Sequence, residues 1–156
     1  MNWDAIGAIG EILGASAVFA SLIYLAIQIR TQNRESRLSA MHEISVGLRD
    51  LMAKFGAHDM APTVLRANED YDQLTDEEAL RFVTLCGAYF LAWEEAFVQH
   101  QEGRLADRSW NSLSMYYANG MGMLGVRRSW ASRKKYFNND FVEFVDAQEF
   151  DEYNAR

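Results

Sequence analysis

AIGAIGEILGASAVFASLIYLAIQI, residues 5–29, is one apolar run interrupted by a single acid, Glu11. As a helix, about 25 residues reach roughly 37 Å. A bilayer's hydrocarbon layer is only about 30 Å thick, so the run is expected to cross a membrane. Two other readings fit less well. A signal peptide needs a basic start, a short apolar stretch and a small-residue cleavage site, whereas this chain starts Met1-Asn2-Trp3-Asp4. A buried helix of a globular domain keeps a polar stripe, and from Ile12 to Ile29 the side chains are apolar or small nearly all round.

The flanks set the expected direction. Arg30, Arg34 and Arg37 follow the run and no Lys or Arg precedes it. Basic residues collect on the cytoplasmic side of a span, so the N-terminus is expected outside and the C-terminal bulk inside. Trp3 and Tyr24 suit the two interfaces. The lone cysteine, Cys86, lies in an apolar stretch and has no intrachain disulfide partner, which agrees with a reducing compartment.

Within the run, Gly7, Gly10, Gly14, Ala17 and Ser21 recur at steps of three and four and fall along one helical face. Close backbone approach over small residues is how helices pack in lipid, where the hydrophobic drive between them is weak. A helix-packing face is expected here, with a second copy of the chain as its simplest occupant. Glu11 lies one residue beside that face, roughly 12 Å along the helix axis from Trp3. A carboxylate at such depth costs a few kcal/mol unless it is neutral, paired or wet. Three readings follow. Glu11 is a neutral hydrogen-bonding group between packed helices, which is favoured. It pairs with a cation or snorkels outward. Or it lines a water-filled path for cations.

Beyond the arginines, Met41, Ile44, Leu48, Leu51 and Phe55 are spaced three, four, three, four. That seam fits a short coiled coil or an amphipathic helix packing on its own domain. Gly56, His58, Asp59 and Pro62 are expected to end it. Thr75-Asp76-Glu77-Glu78 is a capping box that opens a helix carrying Phe82, Val83, Cys86, Phe90, Trp93 and Phe97 on one face, with Gly103 as its stop. A further helix presents Trp110, Leu113, Tyr117 and Met121 and closes at Gly120–Gly122. Another is centred on Trp130, from about Val126 to Phe137, and a last short one carries Phe141, Phe144 and Val145. The period-two alternation of a strand is absent, so the chain reads as all-α. One N-terminal transmembrane helix, residues 1–30, extends into a cytoplasmic helical bundle domain, residues 31–156.

Charge comes in blocks. Residues 57–78 carry seven acids and one Arg, net −6; residues 104–135 carry seven basic residues and one acid, net +6; residues 136–156 are net −5. The basic block holds Arg127, Arg128, Arg133, Lys134 and Lys135. These answer the acidic blocks or contact anionic lipid headgroups, each worth about 1 kcal/mol near a charged surface. Nucleic acid is disfavoured by the net charge of −7.

No catalytic residues stand out. His42, His58 and His100 match no zinc or di-iron spacing, and His100 reads as a satisfied histidine at the edge of the core. Glu94 and Glu95 are candidates for pairing with arginines of a neighbouring helix. A phosphate loop, a nucleophile elbow and a Cys/His pair are all absent. No cofactor, no metal and no enzymatic activity are expected.

In its opening AIGAIGEILGA, in SLIYLAIQIR, in ALRFVTLCGAYFLAWEEAFVQHQEG, and in RRSWASRKKYF and FVEFVDA, the chain resembles a family of small bacterial membrane proteins with no assigned activity. The resemblance implies a single-pass protein of the bacterial inner (cytoplasmic) membrane with a helical cytoplasmic domain, and carries over no catalytic residue. The expectation is a non-enzymatic protein that forms a symmetric homo-oligomer through its span. One rival is a small cation-permeable oligomeric channel with Glu11 on the path. The other is an accessory subunit docking a larger membrane complex or a cytoplasmic partner.

Overall fold

The computed structural model describes residues 3–153, apart from the side chains of Ala5 and Ile6. Met1 and Asn2 of the acidic start, and Arg156 of the last acidic block, lie outside the described residues. Among the described residues six α-helices follow one another: α1 Trp3–Phe55, α2 Ala61–Glu69, α3 Asp76–Gln101, α4 Asp107–Gly120, α5 Leu124–Arg133 and α6 Asn139–Asp146. Short 3₁₀ turns at Tyr71–Gln73 and Lys134–Tyr136 link two of them, and no strand occurs among the described residues. The all-α reading holds.

The chain divides into two compact units between Leu38 and Ser39. Residues 31–39 remain helical and exposed, and among the described residues the first buried side chain is Ala40.

The first unit is α1 up to Leu38. Its large apolar side chains are exposed: Ile12, Phe19 and Leu22 are 67%, 67% and 59% exposed. By length and composition the helix is long enough to cross a membrane, and none of its apolar window is buried.

The second unit is a helical bundle around α3. The Thr75 hydroxyl accepts from the Glu78 amide at 3.3 Å while Glu78 accepts from the Thr75 amide at 3.1 Å, so the capping box forms in full. The Thr75 backbone bond is the main reason the Glu78 carboxyl titrates below its ordinary value. At the other end Gly103 takes φ +70, a left-handed conformation that costs other residues a steric clash. Between these stops, Phe82, Cys86, Phe90, Trp93 and Phe97 are buried. Their steps of four, four, three and four put them on one face.

Aromatic contacts hold the bundle together. Trp93 stacks on Tyr117 of α4 with centroids 5.6 Å apart and meets Phe141 of α6 edge-on at 5.7 Å. Phe90 meets Trp130 of α5 at 5.0 Å. Each fully buried side chain of this size contributes about 1.5–3 kcal/mol of transfer free energy. Within this unit the Met41–Phe55 seam faces inward, with Ile44 buried in the core and Met41, Leu48 and Phe55 packed against it. The seam is thus an amphipathic face of its own domain, not a coiled-coil stripe.

Helix α2 was not legible. The stretch from Gly56 to Pro62 signals a stop, and α1 does end at Phe55, ahead of Gly56. Yet proline equally suits the first turn of a helix, where its missing N–H costs nothing, and here it opens α2. Helices α2 and α5 then touch backbone to side chain. A methyl group added at Gly125 would lie 2.7 Å from the Ala67 carbonyl oxygen.

Candidate functional site

The small-residue face is present and unfilled. Gly7, Gly10, Gly14, Ala17 and Ser21 all sit on α1 and are exposed, and a methyl built on any of the three glycines meets nothing within 4 Å. Glu11 is exposed on the same helix. The hydroxyls of this unit turn back onto their own helix. Ser16 donates to the Ile12 carbonyl at 2.7 Å, Ser21 to Ala17 at 2.8 Å and Thr31 to Ile27 at 3.1 Å. Gln28 donates to the Tyr24 hydroxyl at 2.7 Å. Such back-bonding leaves few polar groups in need of water.

The basic block divides. Arg128 pairs with Asp72 at 2.8 Å and lies over the Tyr71 ring at 5.4 Å, so it meets the first acidic block. Lys134 pairs with Asp146 at 2.5 Å, in the second. Burial pushes the Asp146 carboxyl up, but hydrogen bonds from Lys134 and from the Trp130 indole (2.8 Å) outweigh it and leave its pKa lowered. Arg127, Arg133 and Lys135 form no salt bridge among the described residues, and Lys135 rests over the Tyr136 ring at 5.0 Å.

Two candidates need correction or detail. Glu94 pairs with no arginine: its carboxylate accepts the Asn138 amide at 2.7 Å, at the start of α6, and Glu95 accepts from Gln99 at 3.2 Å. The partner of Glu94 is the N-cap residue of α6, at a helix start whose N–H groups have no intrahelical acceptor. His100 stacks on Trp110 with centroids 5.0 Å apart, its Nε2 3.1 Å from Asp107. Cys86 is fully buried and its thiol is pushed up to about 12 by burial. Among the described residues no group of three or more His, Cys, Asp or Glu side chains is placed to hold a metal ion.

One feature escaped sequence reasoning altogether. The second unit contains a pocket of about 520 Å³. Leu51, Met52 and Phe55 of α1 form one wall, and Val64 and Leu65 of α2 form another. Tyr89, Val126 and Met123 complete the apolar part, while Asn68, Tyr116, Asn119 and Tyr153 add polar groups. Tyr153 reaches this place because its amide donates to the Gly122 carbonyl at 3.3 Å. Its lining comes from positions as far apart as Leu48 and Tyr153, so no local pattern announces it.

Comparison with known proteins returns no matching family model, no matching curated protein and no matching solved structure.

Proposed function

We propose that this chain is a non-enzymatic, single-pass protein of the bacterial inner membrane. Residues 3–30 lie in lipid, the helical bundle stands in the cytoplasm, and copies associate through the small-residue face. The observation carrying this reading is the complete exposure of a long apolar helix that the rest of its own unit does nothing to cover. Burying that surface in hydrocarbon is favourable by about 25 cal/mol per Å², and water offers no comparable refuge. The inward-turned hydroxyls of Ser16 and Ser21 support it, since in lipid every polar group needs a partner within the protein.

Association follows from the same helix. The open space at Gly7, Gly10 and Gly14 lets a second helix approach closely, and brings each copy's Glu11 beside its neighbour's helix, where a shared proton or hydrogen bond spares it isolation. The mass of the protein in mild detergent, measured by sedimentation equilibrium, tests this. A defined oligomer that Gly14→Ile drives to monomer is expected. A monomer, or an oligomer indifferent to that substitution, overturns the association.

A further inference from the structure

We infer that the pocket of the helical bundle is a binding site for an uncharged, mainly apolar small molecule that carries a hydrogen-bond acceptor such as a ketone or ester carbonyl. The pocket lies wholly within residues 48–153, so this inference stands apart from whether α1 crosses a bilayer.

Three observations carry it. The first is size and shape. About 520 Å³ falls inside the 300–1,000 Å³ typical of clefts that take drug-sized ligands.

The second is charge. None of the sixteen lining residues is Asp, Glu, Lys, Arg or His. In a chain that is 24% charged, about four would be average for a set of that size. An ionised ligand group would lose its hydration there with no countercharge to replace it. Two apolar side chains at the pocket, Leu65 and Met52, nevertheless stay 61% and 44% exposed, where an apolar ligand would cover them. Met52 and Met123 are unbranched and adapt readily to irregular shapes.

The third is the donor. Asn68 accepts the Leu124 amide through Oδ1 at 2.7 Å, which fixes which end of its side-chain amide is occupied. The other end, the NH₂, has no partner among the described residues. Asn68 is half-buried, so this NH₂ is open to an acceptor that a ligand in the pocket can supply. The Tyr89 hydroxyl is already spent on the Tyr117 carbonyl, and Asn68 is the polar side chain that α2 contributes to the lining.

The probe to use is benzophenone, a neutral ketone that inserts into neighbouring C–H bonds under ultraviolet light. It is applied to the full chain in phosphatidylcholine vesicles, with adducts located by peptide mass spectrometry. Saturable labelling at Met52, Leu65 or Met123 is expected. Leu65→Trp and Met52→Trp, both at exposed positions, should each lower it by roughly tenfold, the factor that 1.4 kcal/mol represents, while helix content stays unchanged. Asn68→Leu should weaken the half-saturation concentration several-fold. The anionic relative 4-benzoylbenzoate should label these positions far less. Adducts confined to residues 5–29 would overturn the proposal, as would pocket labelling that neither tryptophan substitution reduces. Equal labelling by the anionic probe would overturn the assignment of an uncharged ligand.

Discussion

Residues 3–38 and residues 39–153 are both helical, yet they use their apolar side chains in opposite ways. In the bundle, Phe82, Phe90, Trp93 and Tyr117 are buried to within 1% and belong to one core cluster. On the first part of α1, residues of the same kind, such as Phe19, Leu22 and Ile12, are more than half exposed. Helix formation alone therefore says little about where stability resides. The bundle derives its cohesion from contacts between its own helices. The N-terminal helix has backbone hydrogen bonds and open surface, and it needs a surrounding medium or neighbour to cover that surface.

The contrast is most sharply broken or kept by paired truncations. Trp93→Ala removes a fully buried ring that stacks on Tyr117 and meets Phe141, and should cost the bundle about 3–5 kcal/mol. Val18→Ala, at a position 62% exposed, should leave the same unfolding midpoint in place. Urea titration in mild detergent, followed by circular dichroism, reads both. Similar losses from the two variants would erase the distinction between the regions.

Glycine substitutions sharpen it at smaller scale. Gly125→Ala places a methyl 2.7 Å from the Ala67 carbonyl oxygen and 2.9 Å from its Cβ. Helices α2 and α5 must part, at about 1–3 kcal/mol. Gly10→Ala meets nothing within 4 Å in its own chain and should not move that midpoint. Its effect, if the association holds, falls on the oligomer.

The smallest effect concerns acid. Lys134 and Trp130 hold the Asp146 pKa below its ordinary 3.8, against the opposing push of burial. Because the folded value is lower than the unfolded one, the carboxylate stabilises the bundle above that range, and the contribution is lost as pH falls through the folded value. Comparing unfolding midpoints at about pH 6 and about pH 3, Asp146→Asn should show a smaller acid-induced drop than the unaltered protein. An identical drop would show that the Asp146 contacts have no such effect.

How much of this was legible beforehand follows the range of the signals. The Thr75–Glu78 box, the Gly103 stop and the end of α1 at Phe55 are encoded within a few residues, and they stand where the sequence puts them. The apolar face of α3 was legible too, though Tyr89 and Ala96 also belong to the core. Pro62 is ambiguous by nature, because proline fits both beyond a helix end and in the first turn of a new helix, and α2 was missed for that reason. The partners of Glu94, Arg128 and Lys134 lie 44, 56 and 12 positions away. Charge blocks suggest which signs attract, but only the packing of α5 and α6 chooses Asp146. Asn68 and the pocket around it depend on how α2, α3, α4 and α5 pack around the last turns of α1. On α1 the small-residue face was plain from spacing.

The most direct test of the central claim is whether the chain stays with lipid when peripheral contacts are stripped. Membranes containing the protein are washed in alkaline carbonate and then floated on a density gradient, which separates vesicles from aggregates. Residues 3–30 seated in hydrocarbon require the protein to float with the lipid fraction. Recovery of the protein in the soluble fraction would contradict that placement.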